Sequence, residues 1–181
     1  PNTGARTVMI FGLNENYDPV SETIILNGTA NVVTTNLFII INKAIILTAG
    51  SGGTNAGTIT FTSNGGGNVI SATITIGIGE STQSMFQIRA GYTGYLFKVE
   101  ASSQTSSNTS LTDINVLIKP FGGIFSVKCS MIFNASSSFA SKEWIFPLKL
   151  TEKSIIKFRC VDLSLGTSDV HIDYDLVLIQ N

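Results

Sequence analysis

An all-β protein, an antiparallel β-sandwich of jelly-roll type, is what this sequence predicts, with a closed barrel as the second architecture. Three observations carry that expectation. Short runs of alternating apolar and polar side chains recur along the chain, the segments between them are rich in Gly, Ser, Thr and Asn, and no segment offers an amphipathic helix of three turns. Alternation of period two puts successive side chains on opposite faces of a strand, and half-buried strands suit two sheets stacked about 10 Å apart. Without amphipathic helices, the βαβ architectures that host most cofactor chemistry are disfavoured.

The runs begin with ARTVMIF from Ala5, which passes through the turn-forming stretch Asn14 to Pro19 into SETIILN from Ser21. LFIIINKAIIL, from Leu37 to Leu47, is the longest apolar stretch. Asn42 and Lys43 interrupt it, and it falls far short of the ~20 residues that cross a bilayer as a helix. From Gly50, seven glycines occupy eighteen positions in GSGGTNAGTITFTSNGGG. Gly52 and Gly57 have the separation of a phosphate loop, but Thr58 stands where that loop needs Lys, and strand-like TITFTS follows instead of a helix. The glycines read as turn residues around GTITFTS, with VISATITI and SMFQIRA next. GYTGYLFKVEA predicts a turn at Gly91 to Gly94 and then a strand burying alternate large side chains. The polar loop Ser102 to Ser110 leads to DINVLIKPF, ended by Pro120, and KPFGG turns the chain into IFSVKCSMIF. After the loop Asn134 to Ser141, WIFPLKL carries Pro147, which has no ladder donor and so marks an edge strand or a bulge. TEKS, Thr151 to Ser154, reads as a hairpin connection to SIIKFRCV, and SLGTS, Ser164 to Ser168, leads to HIDYDLVLI. No repeat of solenoid or propeller length is visible.

The 181 residues suit one domain, 1–181, burying roughly 70% of its extended surface. Charged residues make up 13%, about half the usual ~25%, hydrophobics reach 43%, mean hydropathy is +0.31 and net charge is −1. So little repulsion, with so much apolar side chain, implies permanent neighbours. The eleven Lys and Arg are scattered singly, with no basic stripe for nucleic acid, and no membrane insertion is expected. Pro1 opens the sequence without Met or a basic-then-apolar leader, so either Met is trimmed or residues precede it.

Catalytic chemistry finds no motif. His171 is the single histidine, and HIDYDLVLI places His171, Asp173 and Asp175 on one strand face. That row could hold a first-row metal, or be a solvated outer face whose charges deter strand addition; the second is the expected reading. AGSGG has Ala49 where a nucleophile elbow needs Gly. Glu80, Glu100, Asp113 and Glu143 could supply a glycosidase pair, but nothing in the sequence pairs them. Cys129 and Cys160 lack metal or redox spacing and are expected as buried thiols, a bridge between them staying open. Three sequons, at Asn27, Asn108 and Asn134, are what so Asn/Ser/Thr-rich a chain produces by chance. Trp144, Tyr92 and Tyr95 could stack a sugar. Neither catalytic, cofactor-binding nor metal-binding residues are assigned, and no cofactor is expected.

The segments GARTVMIFGLNENYDPVSETIILNGT, GYTGYLFKVEAS, VLIKPFGGIFSVK, FPLKLTEKSIIKFRC and DYDLVLIQN resemble virion-associated structural proteins of tailed bacteriophages, especially those of marine and aquatic bacteria. The resemblance spans nearly the whole chain. Its motifs are structural phrases, so it carries over no site. Lys119 precedes PF where such relatives more often have Arg, which puts in doubt any contact needing a flat guanidinium fork. The resemblance implies a non-enzymatic structural protein of the virion, a capsid decoration or head component or a tail-associated domain, whose partners are copies of itself and other virion proteins. The alternative is a host-surface glycan recognition module of a tail fibre or spike, and the third reading is a polysaccharide hydrolase.

Overall fold

A computed structural model of the chain describes residues 3–65, 70–104, 111–134, 138–163 and 169–181. Among them there is no helix, and twelve strands follow the twelve alternating runs one for one. They are β1 (Ala5–Leu13), β2 (Pro19–Ile25), β3 (Ile40–Ala49), β4 (Ile59–Thr62), β5 (Ile70–Ile74), β6 (Met85–Gln87), β7 (Tyr92–Gln104), β8 (Leu111–Lys119), β9 (Ser126–Asn134), β10 (Phe139–Leu150), β11 (Ile155–Leu163) and β12 (Asp169–Gln180). The ladders are antiparallel. The protein is all-β, an antiparallel β-sandwich. The SLGTS loop, the Asn108 sequon, Gly66 and Gly67 lie outside the described residues, as do parts of the two Ser-rich loops.

Residues 1–181, expected as one domain, divide into two compact units, 1–86 and 87–181. In the first, β2-β1-β3 forms one sheet and β4-β5 a second. Val8 and Ile10 of β1, Ile24 of β2, Ile41 and Ala44 of β3, and Ala72 and Ile74 of β5 make the core. Gly12 sits where β1 passes under the chain at Ile40: a Cβ there would lie 2.1 Å from the Ile40 carbonyl oxygen and 2.7 Å from Phe38 Cδ1. The glycine-rich stretch is turn, as its residues imply. Gly53 has φ 72° and donates to the Gly50 carbonyl at 3.0 Å. Buried Asn55 fastens the loop by donating to Gly57 and Thr75 carbonyls at 2.9 and 3.0 Å and accepting from Gly77 N–H at 3.2 Å.

The remaining sheets are β10-β7-β12 and β6-β11-β8-β9, whose strands lie in the second unit except that Met85 and Phe86 of β6 belong to the first. That order is the jelly-roll order with seven of the usual eight strands, and β12 is the edge where the eighth would pair. Between the sheets are buried Leu96, Val99 and Ala101 of β7, Ile114, Val116 and Ile118 of β8, and Ile156 and Phe158 of β11. Phe158 and Tyr174 of β12 close the gap, with ring centroids 5.0 Å apart. β8 departs from simple alternation. As a central strand it buries Asn115 and Leu117 of its other face as well, and Asn115 is satisfied by Ser130 Oγ, which donates to its carbonyl at 2.7 Å.

Three local expectations change. The Gly91 to Gly94 turn is shorter, because β7 starts at Tyr92 and Gly94 lies inside it, where a Cβ would meet Ile88 Cδ1 at 2.8 Å. TEKS is not a hairpin: β10 and β11 belong to different sheets, so the turn carries the chain across the sandwich. Lys153 in that turn has φ 62°, held between its own N–H on the Ile88 carbonyl at 3.0 Å and the Gln87 amide on its carbonyl at 3.1 Å. The thiols are not buried; Cys129 is half-buried and Cys160 exposed, with no disulfide between them, because β9 and β11 flank β8 on opposite sides.

Candidate functional site

The outer face of β10-β7-β12 gathers the charged residues that the sequence scatters over eighty positions. Register aligns three rows across the strands: Glu143, Lys98 and Asp175; Ser141, Glu100 and Asp173; Phe139, Ser102 and His171. His171, Asp173 and Asp175 share one exposed face, as alternation predicts. Lys98 Nζ lies 2.7 Å from Glu100 Oε1. The hydrogen bond to Glu100 raises the Lys98 pKa above the usual lysine value, desolvation opposes it, and the charges of Glu100, Asp175 and Glu143 add to the rise. Among the described residues, four carboxylates thus surround Lys98, and Lys149, opposite Tyr95 beyond the irregularity, is a second cation on this face.

Strand irregularity sits beside this charge. Two steps of β7, from Lys98 to Leu96, oppose five steps of β10, from Glu143 to Leu148. Trp144, Ile145, Phe146 and Pro147 therefore bulge out of the ladder, where Pro147 has no N–H to offer. Pro147 is both on an edge strand and in a bulge. Ile145 is 95% exposed and Phe146 85%. β7 is irregular at the same level, since Asp175 and Leu176 of β12 are adjacent while their partners Lys98 and Leu96 are not, leaving Phe97 as the extra, partly exposed residue.

The other candidates are dispersed. Residues two apart on a strand are about 7 Å apart, and among the described residues no three His, Cys, Asp or Glu come together in a group fit to hold a metal. Glu80 pairs with Lys43 at 2.8 Å in the first unit, while Asp113 lies on β8 and accepts from Asn115 at 3.4 Å. Tyr92 has Arg89 stacked 3.5 Å from its ring centroid, which occupies one of its faces, and half-buried Trp144 has Lys142 Nζ 5.9 Å away. Lys119 reaches the Phe125 ring at 6.0 Å, a contact that an ammonium makes without a guanidinium fork. A cavity of about 190 Å³ in the first unit, lined by Ile41, Ala72, Thr73, Gln83 and Met85 among others, is below the ~300 Å³ at which ligand pockets begin.

Sequence reasoning found the acidic row of β12 but not its partners on β7 and β10, nor the protruding Ile145 and Phe146. Pro147 was the available signal for the bulge. Comparison with protein-family models, curated proteins and solved structures finds no match.

Proposed function

We propose that this chain is a non-enzymatic structural protein of a phage particle, a capsid decoration, head or tail-associated component that works by binding copies of itself and other virion proteins. One observation carries the reading: large apolar side chains stand in water on a strand framework whose charged fraction is only 13%. Ile145, Phe146 and Ile124, all more than 80% exposed, are the extreme cases. Burying each such side chain against a neighbour contributes roughly 1.5–3 kcal/mol, so a few of them stabilise a contact that the free surface leaves unused. The resemblance to virion proteins of tailed phages supplies the setting.

The test is whether antibody raised against the purified chain labels intact particles of the phage that encodes it, and whether the chain forms stable oligomers or binds purified heads or tails in an ordered way. Labelling at symmetric positions is the expected result. A strictly monomeric chain without affinity for any particle component would overturn the reading.

A further inference from the structure

The geometry points to a head-to-tail contact between copies of this chain, made by two oppositely charged surfaces of the second unit. It rests on the self-associating reading above and adds the interface. The acidic surface is the outer face of β10-β7-β12 with its bulge. The basic surface is the outer face of β6-β11-β8-β9 near the β8–β9 turn. Register pairs Leu117 with Lys157 and Asn115 with Arg159, and Lys119 is two residues beyond Leu117, so Lys119, Lys157 and Arg159 share that face. Lys119 and Lys157 hold their ammonium groups 6.0 and 5.7 Å from the Phe125 ring. In the neighbouring turn, Lys153 Nζ lies 5.0 Å from the Phe121 ring, and Ile124 projects with 83% exposure.

Among the described residues, few acids oppose these cations. The Glu152 carboxylate accepts the Gly91 N–H at 2.6 Å, and Asp113 lies toward the far end of the face, paired in register with Asp162. The two surfaces therefore have the same design with opposite sign. On one, four carboxylates, in excess over Lys98 and Lys149, adjoin protruding Ile145 and Phe146; on the other, cations lie on aromatic rings beside protruding Ile124 and Phe121. Apolar projections flanked by complementary charge are what orient and register a protein interface.

A second copy is the occupant that offers both complements at once. The two faces are the outer sides of one sandwich, with a packed core about 10 Å thick between them, and they point away from each other. One neighbour cannot cover both, so each copy engages two neighbours and the contact propagates, closing into a ring or extending as a filament.

The test uses two charge-reversed variants of the full chain, Lys119→Glu/Lys157→Glu and Glu143→Lys/Asp173→Lys, in sedimentation velocity. The parent chain is expected to associate, and more weakly at about 500 mM salt than at about 50 mM. Each variant alone should lose about tenfold or more in apparent association constant, and an equal mixture should recover most of it, because like-charged surfaces then meet opposite ones again. Far-ultraviolet dichroism and melting curves check folding. If a reversal unfolds the chain, Lys119→Gln/Lys157→Gln and Glu143→Gln/Asp173→Asn take its place, and each must weaken association several-fold. Oligomers indifferent to salt and to these changes, or a mixture of folded variants that stays dispersed, overturn the interface while leaving self-association standing. A parent chain that never associates overturns both.

Discussion

Tyr174 shows how a single residue ties packing to chemistry. Its ring lies against Phe158 in the sandwich, and burial raises its hydroxyl above the ordinary pKa of 10.0. Lys98 is likewise raised above 10.5, chiefly by its hydrogen bond to Glu100. In both cases the folded chain keeps a proton that the unfolded chain releases, so the stability they add is complete below about pH 10 and drains away as pH climbs through the folded-state values. Tyr174→Phe keeps the ring and removes the ionisable group. It should leave melting at pH 7 nearly unchanged and move alkaline unfolding to higher pH; an unaltered alkaline midpoint would contradict this. Leu96, fully buried between the sheets, gives the converse: Leu96→Ala should cost about 2–5 kcal/mol in denaturant unfolding. Gly12→Ala in the first unit should also destabilise, because its Cβ meets the Ile40 carbonyl and that backbone must shift.

At the scale of elements, the edge strands β10 and β12 separate folding from association. Ile145 and Phe146 project from the β10 bulge, so Ile145→Ser/Phe146→Ser should leave the unfolding midpoint within about 0.5 kcal/mol of the parent, as exposed substitutions do, while weakening association measurably. A large loss of stability, or unchanged association, would show that the bulge is not a contact. On β12 the acids guard an open edge. Asp173→Val/Asp175→Val would turn the row apolar, and light scattering should report irregular aggregation beyond the defined, salt-sensitive association expected of the parent chain. The strands themselves were legible because alternation is local: all twelve runs became strands. The Pro147 bulge and the turn at Pro120 were legible for the same reason, since a missing N–H acts where it stands. The crossing at Thr151 to Ser154 was not, because nothing local tells a hairpin from a passage between sheets.

For the molecule as a whole, what sequence could not supply was pairing over long separations. Lys98 and Glu100 meet Glu143 on one side and Asp175 and Asp173 on the other, and only sheet order makes them one acidic surface. The excess of Lys119, Lys157 and Arg159 on the opposite sheet is equally invisible in a chain of net charge −1. The division into units 1–86 and 87–181 left no composition shift to read. Low charge and high apolar content, by contrast, were plain from the start, and the central proposal rests on them: that other copies cover the apolar side chains left in water. Sedimentation equilibrium of the purified chain, from about micromolar to about millimolar concentration at low salt, tests this most directly. A defined oligomer whose population grows with concentration is predicted, and a single monomeric mass across the whole range would contradict it.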